Sequence, residues 1–249
     1  MQNNTKKIIS VLLPIAFWLA VWQIGAIIVS NSFFLPSIQE TFSALGNLIV
    51  KKNFFKVIFS TFLRVLIGLV SGIVLGVIFA ILANQFSFVN SLVSPLVSII
   101  KATPVASFII LLWVTVSGNS LTVFIAFLMV FPIVWQNLTD GYNAIDKNLT
   151  EVSLVFQFSY KKKMKLLIFP TLKKYLVPAI ITSSGLAWKS EIAAEIIAYT
   201  TNSIGQQIND AKYANETPTV FAWTFLIIVF SILLEKTTKH LLERYKNES

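Results

Sequence analysis

The chain has 249 residues, of which 55% are hydrophobic and only 12% charged. A soluble domain carries roughly 25% charged residues, so about half of the usual solubilising charge is missing. No Asp, Glu, Lys or Arg occurs in the 36 residues from Val65 to Ile100, the 38 from Ala102 to Thr139, or the 18 from Thr217 to Leu234. A helix crosses a bilayer with roughly 20 apolar residues, so these runs describe a polytopic membrane protein and exclude a soluble enzyme or nucleic-acid-binding domain. A porin-like barrel is excluded too, because its strands would alternate apolar and polar residues. With no cysteine, and a single histidine (His240) in a charged tail, the chain offers no disulfide, thiol chemistry or His-cluster metal site, and no cofactor is expected.

In chain order, a first span is predicted from Ile8 to Val29, behind Lys6 and Lys7. Its 22 uncharged residues exceed the roughly 7–15 of a signal-peptide core, and no A-x-A-like site follows, so it is expected to stay uncleaved. A second span is predicted over Thr61 to Ala83, then a short amphipathic or re-entrant segment over Phe86 to Ser98. Spans three and four are predicted over Val105 to Val116 and Leu121 to Leu138, about the turn Ser117-Gly118-Asn119. Span three is expected to start earlier, near Lys101. A fifth runs over Leu176 to Tyr199 and a sixth over Thr217 to Leu234.

Six spans with the N-terminus inside leave both termini cytoplasmic. The cytoplasmic segments then hold 14 cations, among them Lys6, Lys7, Lys147, Lys161 and Lys236, against Lys51, Lys52, Lys56 and Lys212 outside. That asymmetry follows the positive-inside rule and accounts for the net charge of +9 without nucleic acid.

Within the second span, Gly68, Gly72, Gly76 and Ala80 recur every fourth residue, a smooth face that lets another helix approach closely. The segment from Asp140 to Lys174 is too long for a plain connector. Asn148 with Glu151 resembles a capping-box start, and Leu149, Val152, Val155 and Phe156 follow at helical spacing. An amphipathic helix outside the membrane must lie on the lipid surface or dock into a partner.

Glu151-Val152-Ser153, then Gln157, then Leu167-Ile168-Phe169-Pro170 resembles the Glu-Ala-Ala loop of binding-protein-dependent ABC importer permeases, with Glu151 and Pro170 at the first and twentieth places. The chain departs from that pattern where Val152 and Ser153 replace the alanines, Gln157 replaces a glycine, and Leu167 and Phe169 replace Ile and Leu. Further motifs stand in the family's order: Phe34-Leu35-Pro36-Ser37, Leu63-Arg64-Val65-Leu66-Ile67-Gly68, Lys101-Ala102-Thr103-Pro104, Phe131-Pro132-Ile133, Gly185-Leu186-Ala187-Trp188-Lys189, Ala193-Ala194-Glu195 and Glu216-Thr217-Pro218. Across nearly the whole chain these are similar to the nitrate/sulfonate/taurine-type permeases.

The resemblance implies an all-α permease domain over residues 1–249 with about six transmembrane helices of the type I importer fold and a cytoplasmic coupling loop over 140–174. It implies a multi-pass protein of a prokaryotic cell membrane. Its partners would be a cytoplasmic ATP-binding subunit, an extracytoplasmic substrate-binding protein and a second permease subunit, expected as a homodimer. Glu151 would sit in the helix that enters a groove on the ATPase. The family glycine ends that helix, where it tolerates φ > 0, so Gln157 leaves the geometry of this turn open. The cargo would be a small solute such as a sulfonate, nitrate, taurine or vitamin-precursor-like compound. No Gly-Lys pair occurs, so the chain has no phosphate-binding P-loop and is expected to be no enzyme.

Trp188, Glu191 and Glu195 share one face of the fifth span, while Lys189 lies about 200° from Glu191. Intramembrane carboxylates face a bundle interior or an aqueous cavity. Two readings stay open for them: a face lining the translocation path, and a structural ion pair with Lys189, Arg64 or Lys101. An alternative function is a stand-alone proton-coupled carrier working through Glu191 and Glu195. A membrane-embedded enzyme would need clustered nucleophiles or ligands that are absent from the sequence.

Overall fold

The computed structural model of the chain describes the backbone of residues 2–116 and 118–247, and the side chains of residues 10, 12–116 and 118–242. Ser117 of the predicted turn lies outside the described residues, as do the side chains of Lys6, Lys7, Arg244 and Lys246 from the charge count. Within the described residues all regular structure is helical. Five helices are long and apolar enough to cross a membrane, and a sixth span arises if one bent pair is counted.

The first span is α1 (Gln2–Val29). It leaves Leu13, Trp18 and Ile28 exposed, as a helix solvated by lipid would. It is tied to the rest by Trp22, whose indole N–H donates to the carbonyl of Pro36 at 3.0 Å and whose ring stacks on Phe221. Next comes α2 (Ile38–Val50), an amphipathic helix that the span count above does not contain. A capping box starts it. The Glu40 N–H donates to Ser37 Oγ at 3.3 Å, and the Ser37 N–H donates to Glu40 Oε2 at 2.7 Å.

The second span is α3 (Phe54–Gln85), two turns longer at its start than the predicted Thr61. The extra turns carry Phe54, Phe55 and Val57, and one cation, Lys56, does not stop them. Beyond it lie α4 (Ser87–Ala102) and α5 (Val105–Trp113), bent by 103° to one another. The break falls at Thr103-Pro104, where Thr103 has ψ 130°. Proline excludes the preceding residue from the helical region and removes a backbone donor. The predicted third span is thereby corrected. α5 alone has nine residues, about 14 Å of rise, and reaches across only together with α4.

α6 (Asn119–Asn143) runs beyond the predicted Leu121–Leu138 at both ends. A loop then carries α7 (Lys147–Val155) and α8 (Tyr160–Lys163). A π-turn (Met164–Ile168) joins α8 to α9 (Phe169–Ile197), making one helical rod of 38 residues. α10 (Ile204–Tyr213) and α11 (Thr217–Asn247) complete the chain. α11 extends well beyond the predicted Leu234.

The core is built on α3, α6 and α9. α3 and α6 touch through small residues. A Cβ added to Gly68 would stand 2.5 Å from Ala126 Cβ, one on Gly72 2.6 Å from Val130 Cβ, and one on Gly76 2.9 Å from Val134 Cβ. The Gly68–Ala80 stripe is thus filled by α6 of the same subunit, with Ala80 itself 1% exposed. Val65, Trp135, Trp188 and Trp223 close the centre.

Candidate functional site

Toward the end of the bundle that carries α2 and α10, one polar cluster is sealed inside the helices. Arg64 on α3 reaches Glu195 on α9, Nη1 to Oε1, at 2.5 Å. Glu195 also accepts from Thr61 Oγ1 at 2.8 Å and from the Gly205 N–H at 3.0 Å. The Arg64 fork is filled elsewhere: Nη2 donates to Ser60 Oγ and to the carbonyls of Thr201 and Asn202, and Nε donates to Asn119 Oδ1. A buried ion pair is sustained only when its remaining donors and acceptors find partners, and here they do.

Local structure places these groups. α9 ends in a Schellman motif in which Tyr199 takes a left-handed φ of 51° and the Thr200 N–H returns to the Glu195 carbonyl. The chain then turns straight into α10, capped by Ser203. A Cβ on Gly205 would lie 2.4 Å from Glu195 Cβ, so only glycine lets the α10 backbone come close enough to donate. Arg64, Glu195 and the α9–α10 turn therefore form one latch between three helices.

Glu191 lies one turn from Glu195 and is equally inaccessible, yet neither carboxyl oxygen has a hydrogen-bond partner among the described residues. Trp188 is sealed as well; its indole N–H donates to the Ile227 carbonyl at 3.1 Å and its ring meets Phe230. The face formed by Trp188, Glu191 and Glu195, expected on one reading to line a path, is enclosed by the subunit's own α3, α6, α10 and α11. Arg64 supplies the physical reason, because an intramembrane carboxylate turns toward an available cation.

The exposed face of α9 is the opposite one. Between Thr171 and Ile197, the exposed residues are Lys174, Pro178, Thr182, Leu186 and Lys189, at successive spacings of four, four, four and three. Lys189 stands eight residues, about 12 Å, from the Ile197 end of the helix. That is within a hydrocarbon core of about 30 Å. Turning such a lysine to lipid costs at least about 2.5 kcal/mol on insertion scales. Pro178 and Thr182 also line a cavity of about 750 Å³ near the α7 end.

At that end, α7 stands away from the bundle. Its first residues are capped by Asp146, whose side chain accepts from the Asn148 N–H at 2.8 Å, so the start lies two residues before the predicted Asn148. Asp146 offers the same short acceptor as Asn148 but stands on extended backbone, as an N-cap must. Glu151, Leu149, Val152, Val155 and Phe156 are all exposed, while Ser153 is buried. Gln157 has φ 48°. The Phe158 N–H returns to the Ser153 carbonyl at 2.9 Å and the Gln157 N–H to Leu154 at 3.0 Å, a complete Schellman motif. The chain keeps the left-handed turn without the glycine. Phe169 and Pro170 follow the π-turn, where a proline lacking its N–H fits a helix whose ladder is already shifted.

Comparison with known proteins decides the family. A family model described as the binding-protein-dependent transport system inner membrane component matches residues 72–247. The chain belongs to that family. This permease is 28% identical over 238 residues to the Bacillus subtilis (strain 168) protein named for aliphatic sulfonates transport, SsuC, covering 94% of this chain and 84% of that one. It is 27% identical over 217 residues to the nitrate import permease NrtB of Synechococcus elongatus, covering 82% and 76%. Its fold matches a solved amino acid ABC transporter chain with a TM-score of 0.63 at 15% identity, over 79% of this chain and 94% of that one. The permease is thus the multi-pass membrane subunit of an ABC importer, with a type I importer fold, and a transport component and no enzyme.

The sequence reading missed α2, α10 and the α9 stripe. For α2 the signal was present: Ser37 and Glu40 have the capping-box spacing, and an amphipathic run follows. For α10, Ser203 preceding Ile204 was a usable N-cap signal. The stripe had none, since which side of α9 is covered depends on packing partners far away in the chain.

Proposed function

We propose that this permease forms the translocation route for a small anion delivered by an extracytoplasmic binding protein, driven by a separate ATP-binding subunit that docks on α7. The observation that carries the reading is α7 itself. A nine-residue helix leaves Leu149, Val152, Val155 and Phe156 exposed. An apolar helix held out in water is stable only against a partner or a lipid surface. Glu151, Val152, Ser153 and Gln157 lie in or just behind that helix, and Phe169 and Pro170 at its return to the membrane. In this reading α7 and both termini face the cytoplasm of a prokaryotic cell, and a second copy of the chain completes the route. The names of the sulfonate and nitrate relatives support an anion of that size as cargo.

The carrier alternative depended on Glu191 and Glu195 meeting water. Both are fully covered, and Glu195 is committed to Arg64.

The test is co-purification and uptake. Wild-type permease co-expressed with its ATPase should pull that subunit down and support ATP-dependent uptake in vesicles. Glu151→Lys should insert normally, lose most of the associated ATPase and abolish uptake. Normal ATPase association and uptake in Glu151→Lys, or labelling of the loop from outside the cell, would remove the docking role from α7.

A further inference from the structure

We propose that the exposed stripe of α9 is the wall of the translocation route, and that Lys189 is the residue on it that favours small oxyanions over neutral or cationic solutes. This rests on the reading of the chain as the route-forming subunit.

Three observations converge on it. The stripe of Lys174, Pro178, Thr182, Leu186 and Lys189 runs straight along one side of α9, while every carboxylate of that helix is sealed on the other. Lys189 forms no salt bridge among the described residues, because Glu195 is taken by Arg64 and Glu191 is enclosed. An ammonium at that depth is stable beside water or a second subunit and unstable against hydrocarbon.

The third observation is the cavity of about 750 Å³ into which the stripe opens at the α7 end. Four lysines line it, Lys165, Lys173, Lys174 and Lys239, against one carboxylate, Glu235. Low-dielectric walls with an excess of one sign raise the local concentration of the opposite ion. The stripe thus places one cation at membrane depth and a cationic vestibule at its end, an arrangement that attracts an anion along the whole face and repels cations. A mean attraction without a fixed pocket also lets the ion leave.

The natural chain has no cysteine, so a single introduced thiol reports on one position. Thr182→Cys is prepared in the complex assembled with the ATPase, in vesicles. It is treated with two membrane-impermeant thiosulfonates, one carrying a sulfonate and one a trimethylammonium group. Each rate is divided by that reagent's rate with a small free thiol. The anionic reagent is expected to react faster by roughly fourfold or more, the ratio for one charge about 10 Å away acting with opposite sign on the two reagents in a watery dielectric. Adding Lys189→Gln should lower that preference to what the vestibule lysines alone sustain, and adding Lys189→Arg should keep it whole.

Labelling of Thr182→Cys only by a lipid-permeant reagent would place the stripe against lipid and overturn the proposal. Access without charge preference, or a preference unchanged by Lys189→Gln, would overturn the role of Lys189. Both failures occur in a complex that assembles and hydrolyses ATP, whereas failure of wild type to assemble strikes the underlying transport reading instead. Should Lys189→Gln not assemble, the comparison of Thr182→Cys with Thr182→Cys/Lys189→Arg and with a control thiol at the exposed apolar Ile67 of α3 still decides access and charge preference.

Discussion

Arg64 and Glu195 stand 131 residues apart in the chain and 2.5 Å apart in the fold. Each belongs to a different short motif, Leu63-Arg64-Val65 and Ala193-Ala194-Glu195, and the fold makes them a single unit. Removing one partner of a buried pair strands the other charge, at a cost of about 3–5 kcal/mol. Arg64→Met and Glu195→Leu should therefore each lower the unfolding midpoint of the purified permease sharply. The double variant should recover part of the loss, since it strands no charge and leaves only neutral partners such as Thr61 and the Gly205 N–H unpaired. Equal midpoints for the three variants and wild type would show that the pair contributes nothing to the fold.

Gln157 holds a left-handed conformation at φ 48° with its side chain exposed. Such a conformation costs an L-residue roughly 1–2 kcal/mol, and glycine is free of it. Gln157→Gly should tighten the end of α7, and Gln157→Val should loosen it, because a β-branched side chain tolerates that region worst. Limited trypsin cleavage at Lys161 to Lys163 reports the difference: slower in the glycine variant, faster in the valine variant.

Two glycines of similar appearance should respond in opposite directions. A Cβ on Gly72 meets Val130 at 2.6 Å, whereas one on Gly46 in α2 meets nothing within 4 Å. Gly72→Ala should destabilise by about 1–3 kcal/mol through overpacking. Gly46→Ala should stabilise by roughly 0.5–1 kcal/mol, the ordinary gain of alanine over glycine inside a helix. Thermal unfolding in detergent separates the two.

Glu40 provides a pH signature outside the membrane spans. Hydrogen bonds from Ser32, then from the Ser37 backbone and side chain, hold its carboxyl below the ordinary value of 4.5. With the folded value depressed, the cap is fully favourable above about pH 4.5. It is lost as pH falls through the lower folded value. Hydrogen exchange at residues 38–41 should speed up relative to Glu40→Gln in wild type only below that range. A constant ratio across pH 3 to 6 would show that the carboxylate does not hold the cap.

What the sequence revealed depended on the range of the interaction behind each feature. Long uncharged runs located α3, α6 and α11, because crossing a bilayer is a demand on one helix at a time. Ends were less legible. The span predicted from Thr61 begins at Phe54, and the one predicted from Val105 is half of a pair that turns by 103° at Thr103-Pro104. Pairing on α9 was the hardest. Helical spacing grouped Trp188, Glu191 and Glu195 correctly on one face, but whether that face looks inward depends on Gly205 in the next helix and on Thr61 and Arg64, 134 and 131 residues from Glu195.

The rod from Tyr160 to Ile197 has 38 residues and so is about 57 Å long. It begins beside the protruding α7 and ends at the latch. A stiff beam passes tilt from one end to the other with little delay and little loss. Two points interrupt its hydrogen-bond ladder, the π-turn at Met164–Ile168 and Pro178 inside α9. Any tilt of the beam beyond those points carries its far tip, where Arg64 and the α9–α10 turn meet it, through an arc that widens with distance from them.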